Sequence, residues 1–188
     1  MVNAAVLFAH GFEEVEGLTI VDILRRAKIN TIITGVEDKE INGSHNVTIK
    51  ADQSLVDLSI DNVDALILPG GAPGFMNLRK NERVLSLIKE ANKKKKIVAA
   101  ICASPSVLAT AGILEQKKAT IYPGMEEEIK KGGGTLVDDL VVVDDNIVTS
   151  KGPATTMLFA LKLVEMLKDK STSKDLENKM LLPLIYKK

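Results

Sequence analysis

The sequence predicts an α/β fold, a mostly parallel central sheet with helices covering both faces. Short apolar or β-branched runs alternate with stretches in which apolar residues recur every three or four positions. Several of the short runs are apolar throughout, as strands buried on both faces of a sheet are. No internal repeat or linker interrupts this pattern over 188 residues, a length that suits one domain (1–188) able to bury roughly 70% of the surface of its unfolded chain.

Ala4, Val6, Leu7 and Phe8 open the chain as a buried strand. From Glu14 to Ala27, Val15, Leu18, Ile20, Val21, Ile23 and Leu24 fall at helical spacing, and Arg25-Arg26 suits the negative end of a helix dipole. Thr31 to Val36 is the next strand. Asn42-Gly43 signals a turn ahead of alternating Val47 and Ile49, which predicts a small hairpin at the sheet edge. Ala65 to Leu68 is a fully apolar strand that stops at Pro69-Gly70-Gly71. An amphipathic helix over Glu82–Lys96 leads into the buried strand Ile97–Ile101, and a helix over Ser104–Ala111 closes at Gly112.

Weaker strands follow near Ala119–Ile121, Leu140–Val143 and Ile147–Ser150, around a glycine run at 132–134, and Ala154–Leu167 is an apolar helix. The tail, residues 171–188, carries Met180, Leu181, Leu182, Leu184 and Ile185. It is too apolar to be left in water and is expected to dock on the domain or on a second subunit.

The gross numbers exclude several classes of function. Lys and Arg number 25 against 25 Asp and Glu, so no overall field draws nucleic acid or an anionic membrane. One cysteine rules out an internal disulfide and any Cys-cluster metal site, and a lone thiol suits a reducing, cytoplasmic setting. The N-terminal stretch lacks the basic region of a signal peptide, and no run reaches the roughly 20 apolar residues of a membrane span. HExxH, GxxxxGK[ST] and a convincing GxGxxG are all missing, so neither metal nor nucleotide cofactor is expected.

The single thiol, Cys102, lies where a strand gives way to Ser104-Pro105. Ser is a good helix cap and Pro is tolerated in the first turn, so the sulfur is expected at the carboxyl edge of the sheet, near a helix N-terminus. Such a position favours thiolate, and the small Ala103 and Ser104 permit a nucleophile elbow with the Ala103 N–H facing a developing oxyanion. Free cysteines are also often small buried hydrophobes, and position alone leaves both readings open. Gly70 and Gly71 end a neighbouring strand with no side chain in the way, and their amides are candidates for an anion pocket.

A histidine partner would have to be His10 or His45, both far upstream of the thiol. Glu13, Glu14 and Glu16 instead arrive at the end of the first strand. Glu13 and Glu14 read as acids favouring a helix N-terminus. Glu16 falls among Val15, Leu18 and Ile20, and a carboxyl buried there is expected to have a raised pKa and to hold a proton. The same acids disfavour a phosphate-binding loop.

The segments GFEEVEGLTIVDILRRA, DALILPGGAPG, AAICASPSVLATAG and TSKGPATTMLFALKLVE, in this order, resemble the ThiJ/PfpI superfamily, and within it the parkinsonism-associated deglycase branch. The resemblance implies a flavodoxin-like three-layer sandwich, a homodimer and a cofactor-free site. It implies Cys102 as nucleophile at the elbow, Glu16 as its hydrogen-bonding carboxyl, and Gly71 and Ala103 as oxyanion donors. The activity implied is conversion of α-oxoaldehydes such as methylglyoxal and glyoxal to hydroxy acids without glutathione, with deglycation of proteins. Members are also described as oxidative-stress sensors and chaperones. Two positions depart from the pattern. Tyr122 stands where many relatives have a histidine near the thiol, and His45 where relatives often carry an arginine that crosses the dimer. A peptidase or glutaminase would need a histidine after the cysteine, and there is none.

Overall fold

The computed structural model describes residues 1–186. Eleven strands run in chain order: β1 Asn3–Phe8, β2 Asn30–Gly35, β3 Glu40–Asn42, β4 Thr48–Lys50, β5 Gln53–Ser54, β6 Ala65–Leu68, β7 Ile97–Ile101, β8 Lys118–Ala119, β9 Thr135–Leu136, β10 Val141–Asp144 and β11 Ile147–Ser150. The α-helices are α1 Glu14–Arg26, α2 Gly74–Lys80, α3 Glu82–Lys93, α4 Pro105–Thr110, α5 Glu126–Lys131, α6 Thr156–Leu167, α7 Lys170–Lys179 and α8 Pro183–Tyr186. The central sheet has the order β10-β11-β7-β6-β1-β2-β5. Only β10 runs antiparallel to its neighbour.

The period of two along β1 sorts its side chains into two layers. Ala4, Val6 and Phe8 pack with Ile20 and Leu24 of α1 and Phe159 and Leu163 of α6. Ala5 and Leu7 join the opposite face with Val84, Leu87 and Ile88 of α3 and Leu108 of α4. Helices on both faces of a mostly parallel sheet are the three-layer α/β sandwich that the sequence pattern predicts. β1 leads through α1 to β2 on one side, whereas β6 pairs with β1 on the other. The carboxyl edge between β1 and β6 is therefore a topological switch point, where ligands bind in open α/β sheets.

Several elements differ from expectation, among them the short strands β5 and β9 and the tail helices α7 and α8, which were not expected. The hairpin β3–β4 is not an edge of the main sheet. It forms a separate two-stranded sheet with a longer loop than Asn42-Gly43 implies, in which Gly43 N–H donates to the Val47 carbonyl at 2.9 Å. It is tied to the chain after β1, with Gly11 N–H donating to Asn42 at 2.7 Å. Helices α2 and α5 were not expected. The first opens on Pro73-Gly74 and buries little beyond Leu78, and the second, EEEIKK, buries only Ile129, so neither shows an apolar period.

In the tail, α7 is capped by Asp169, which accepts the Thr172 N–H at 2.7 Å, and packs against α6. Leu176 and Leu182 are buried on the domain, whereas Leu181, Leu184 and Ile185 are exposed. The end of the tail beyond 186 lies outside the described residues. Among the described residues no helix is long and apolar enough to cross a membrane.

Candidate active site

β7, β6 and β1 are neighbours in the sheet, so the turns that follow them meet at one edge. Cys102 comes directly after β7. Its N–H donates to the Ser150 carbonyl at 3.0 Å, continuing the ladder with β11, and its φ is +63°. A non-glycine residue in the left-handed region is strained, and such strain persists where the surroundings over-determine it, as at a nucleophile elbow. Ser104 is not the side-chain cap its position suggests. Its buried hydroxyl donates to the Pro69 carbonyl at 2.5 Å and ties the cysteine turn to the turn after β6.

Glu16 lies fully buried in the first turn of α1. Its Oε2 accepts the Gly70 N–H at 2.7 Å, while Oε1 has no hydrogen-bond partner among the described residues. Burial raises this carboxyl to about 7, against the Gly70 bond and the Cys102 thiol, which pull it down. Burial and the adjacent carboxylate push the Cys102 thiol up to about 12, although the Gly71 and Ala103 N–H groups favour its thiolate. The expected lowering of the thiol by a helix N-terminus is therefore not found. α4 has only six residues and starts three positions after the sulfur, and a carboxylate stands closer. The doubly protonated pair gives up its first proton near 7, and above that pH the two partners compete for the one that remains.

The two glycines divide their work. The Gly70 N–H is committed to Glu16, so this residue positions the carboxyl and is not a free donor for a substrate. A Cβ at Gly70 would lie 2.5 Å from the Cys102 Cβ and 2.8 Å from Glu16 Oε2, so only glycine lets cysteine and carboxyl meet. Gly71 has a φ of +93°, and its N–H is directed, with that of Ala103, toward the sulfur. Two donors that favour negative charge at the sulfur are the kind of groups an oxyanion hole would use.

Tyr122 N–H donates to the Cys102 carbonyl at 2.9 Å, and its exposed ring lies beside Gly152. His45 is not brought to the thiol. Its ring Nδ1 lies 2.9 Å from Glu14 Oε2, and its backbone N–H donates to Glu14 Oε1 at 2.6 Å. Burial opposes ionisation of Glu14, yet the bonds from His45 and from the backbone N–H groups of His45 and Val47 hold it at about 2. Glu14 thus fastens α1 to the β3–β4 hairpin, a role hidden in the sequence because hairpin and helix lie some thirty residues apart. Glu13, Glu14 and His45 bring ligand atoms within 4.8 Å of one another, but Glu14 is already saturated by donors, which makes the cluster a tether.

The chain matches the model of the DJ-1/PfpI family over residues 2–166. It is 35% identical over 181 residues to protein dj-1beta of Drosophila melanogaster, covering 96% of this chain and 97% of that one. It is 35% identical over 163 residues to a deglycase of Pyrococcus horikoshii, covering 86% of this chain and 97% of the relative. Among solved structures, oxidized DJ-1 of Toxoplasma gondii superposes with a TM-score of 0.91 at 35% identity, covering 96% of this chain and 98% of that one.

Proposed function

Because the chain belongs to the DJ-1/PfpI family, and because its one thiol sits on a strained turn against a buried carboxyl, we propose that it is a cysteine enzyme acting on α-oxoaldehydes and their early adducts with amines. The observation that carries this reading is the Gly70–Glu16–Cys102 arrangement, a proton acceptor and a nucleophile held together in a site backed by two N–H donors. Glu16 takes the thiol proton as sulfur adds to the aldehyde carbon, and the Gly71 and Ala103 N–H groups stabilise the oxygen that becomes negative. The resulting hemithioacetal loses its C1 proton and regains one at C2 through the same carboxyl, which gives a 2-hydroxyacyl thioester. Water then cleaves the C–S bond, releases the hydroxy acid and restores the thiol. Glu16 suits this shuttle because a group titrating near 7 both takes and gives protons efficiently at neutral pH.

The similarity to a Pyrococcus protein named a deglycase supports the amine-adduct half of the reading. The test is lactate formation from methylglyoxal without glutathione. Full activity in Cys102→Ser or in Glu16→Gln would sink the mechanism.

A second reading, a redox sensor or chaperone acting through oxidation of Cys102, is favoured by one observation, the close likeness to a DJ-1 described as oxidized. In it Cys102 is oxidised to a sulfinate held by the Gly71 and Ala103 amides and by Glu16 in its neutral form. Intact mass after mild peroxide decides: two oxygens on Cys102 before any methionine is modified support the sensor, and methionine oxidation first opposes it. In either role the chain is proposed to work as a homodimer in a reducing compartment such as the cytoplasm. Exposed Val15 and Leu18 on α1, 53% and 38% accessible, offer the apolar surface.

A further inference from the structure

The sheet does not by itself fix the turn that carries the thiol against the turn that carries Gly71. The parallel ladder between β6 and β7 ends at the pair Leu68 and Ala100, and Cys102 then directs its N–H away from β6, to Ser150 of β11. The turn after β6 is fastened elsewhere. Its Gly70 carbonyl accepts the Glu13 N–H at 3.0 Å, its Gly70 N–H donates to Glu16, and its Gly71 carbonyl accepts the Phe75 N–H at 2.8 Å. These bonds lead to α1 and α2, not to the cysteine. Apart from contacts with the sulfur itself, one hydrogen bond among the described residues joins the two turns, from the Ser104 hydroxyl to the Pro69 carbonyl at 2.5 Å.

The residues around that bond make it matter. Pro69 is followed by Gly70 and Gly71, and glycine has the most backbone freedom of any residue. A link one residue ahead of them therefore governs where the Gly71 N–H comes to rest. Serine at the start of a helix ordinarily accepts an N–H of the first turn. Ser104 makes no such bond, and its fully buried hydroxyl donates across to the neighbouring turn instead. Pro69 is buried as well. Without the hydroxyl its carbonyl would lose this partner, and an unpaired buried carbonyl is costly enough to shift backbone or admit water.

We propose that Ser104 is a positioning residue, which clamps the turn after β6 to the turn after β7 and so holds the Gly71 N–H in register with the Cys102 sulfur. The proposal rests on the carbonyl chemistry given above, in which that N–H answers the oxygen that becomes negative. A donor misplaced by about 1 Å forfeits up to about a hundredfold in rate. Because the donor acts as charge develops, the loss is felt in kcat and not in KM. Glu16 is disturbed less. Its carboxyl is carried by α1, and its rise to about 7 comes first from burial, so the step near pH 7 remains.

The test compares Ser104→Ala with Ser104→Thr, which keeps the hydroxyl, and with Ser173→Ala, which removes a remote buried hydroxyl that donates to the Leu161 carbonyl at 2.8 Å. In lactate formation from methylglyoxal, Ser104→Ala is expected to lower kcat about tenfold to a hundredfold, with KM and the step near pH 7 unchanged. Ser104→Thr should restore most of kcat, and Ser173→Ala should lower Tm without lowering kcat. A wild-type kcat in Ser104→Ala overturns the proposal, as does an equal loss in Ser104→Thr or in Ser173→Ala. Should Ser104→Ala fold poorly, Ser104→Gly carries the comparison, and loss of native circular dichroism in both makes Ser104 a folding residue and overturns it too. Alkylation of Cys102 by iodoacetamide at pH 8 reads the clamp without turnover. It should slow several-fold in Ser104→Ala, because a displaced Gly71 N–H no longer favours thiolate, and an unchanged rate also overturns the proposal. If the wild type forms no lactate, the carbonyl chemistry fails while alkylation still decides whether Ser104 positions Gly71.

Discussion

At the scale of single residues the chemistry turns on one shared proton. Glu16 rises to about 7 because it is buried, so the doubly protonated pair loses its first proton near that pH. Turnover of methylglyoxal and alkylation of Cys102 by iodoacetamide are both expected to rise as pH passes upward through about 7. Glu16→Gln has nothing to titrate there, and its profile should lack that step. The same substitution removes the group that moves protons, so kcat is expected to fall by about two to four orders of magnitude. Stability runs the other way. Between the ordinary carboxyl value of 4.5 and about 7 the unfolded chain has lost this proton while the folded chain keeps it. The fold is therefore stabilised below 4.5, relative to higher pH, and loses about 3 kcal/mol as pH rises through 7. Urea midpoints at pH 5.5 and 8 should fall closer together in Glu16→Gln than in wild type. Part of this site is legible in the sequence: the expected burial and raised pKa of Glu16 are found, although of the neighbours that suggest them only Ile20, one turn on, is buried, while Val15 and Leu18 face outward. The thiol is less so, because its environment depends on which side chain crosses from the next-but-one strand, a fact that local spacing does not carry.

At the scale of elements, the turn after β6 and the hairpin β3–β4 set the geometry. Gly70→Ala would press a methyl group against the Cys102 Cβ and Glu16 Oε2. Overpacking of this kind costs about 1–3 kcal/mol, and the cost here falls on the two reacting groups. Activity should therefore drop far more than thermal stability, which parallel measurement of lactate production and Tm checks. The hairpin depends on Glu14 and His45. Glu14 contributes stability present above 4.5 and lost as pH falls toward about 2. His45 is raised by its bond to Glu14 and by the charges of Glu13 and Glu14, so its contribution is complete below 6.5 and lost as pH rises through its folded value. Hydrogen exchange at the amides of His45 and Val47, both of which donate to Glu14, should be slowest between about pH 4.5 and 6.5 once the intrinsic pH dependence is divided out, and uniformly fast in Glu14→Gln. The sequence places the turn at Asn42-Gly43 but not the site of docking, because the acceptor is a side chain on a helix about thirty residues earlier. Helices α2 and α5 stay hidden for a simpler reason: each buries too little to leave an apolar period.

At the scale of the whole molecule, alternation of apolar runs with helical patterns is enough to predict a parallel sheet with helices on both faces, because parallel neighbours need such crossovers. Strand order is another matter. Which side of β1 receives β6 is decided by packing of the complete sheet, and that choice creates the switch point in which Glu16, Gly71 and Cys102 meet. The same packing leaves α1 with an inner face in the core and Val15 and Leu18 facing outward. Val47, on the hairpin that Glu14 holds to α1, is also exposed, so the apolar surface spans two elements fixed to each other and lies next to the helical turn that carries Glu16. An isologous dimer formed there would press on α1 close to Glu16. A charge in the middle of such an interface is desolvated without a partner, so Leu18→Lys is expected to shift the mass seen by sedimentation equilibrium from dimer to monomer. Circular dichroism should stay native, because Leu18 is not a core residue. Activity per chain should fall together with the dimer fraction if the interface steadies α1, and should recover at protein concentrations that restore association. A wild type that sediments as a monomer, or a Leu18→Lys variant that remains dimeric, would place the subunit contact elsewhere on the molecule.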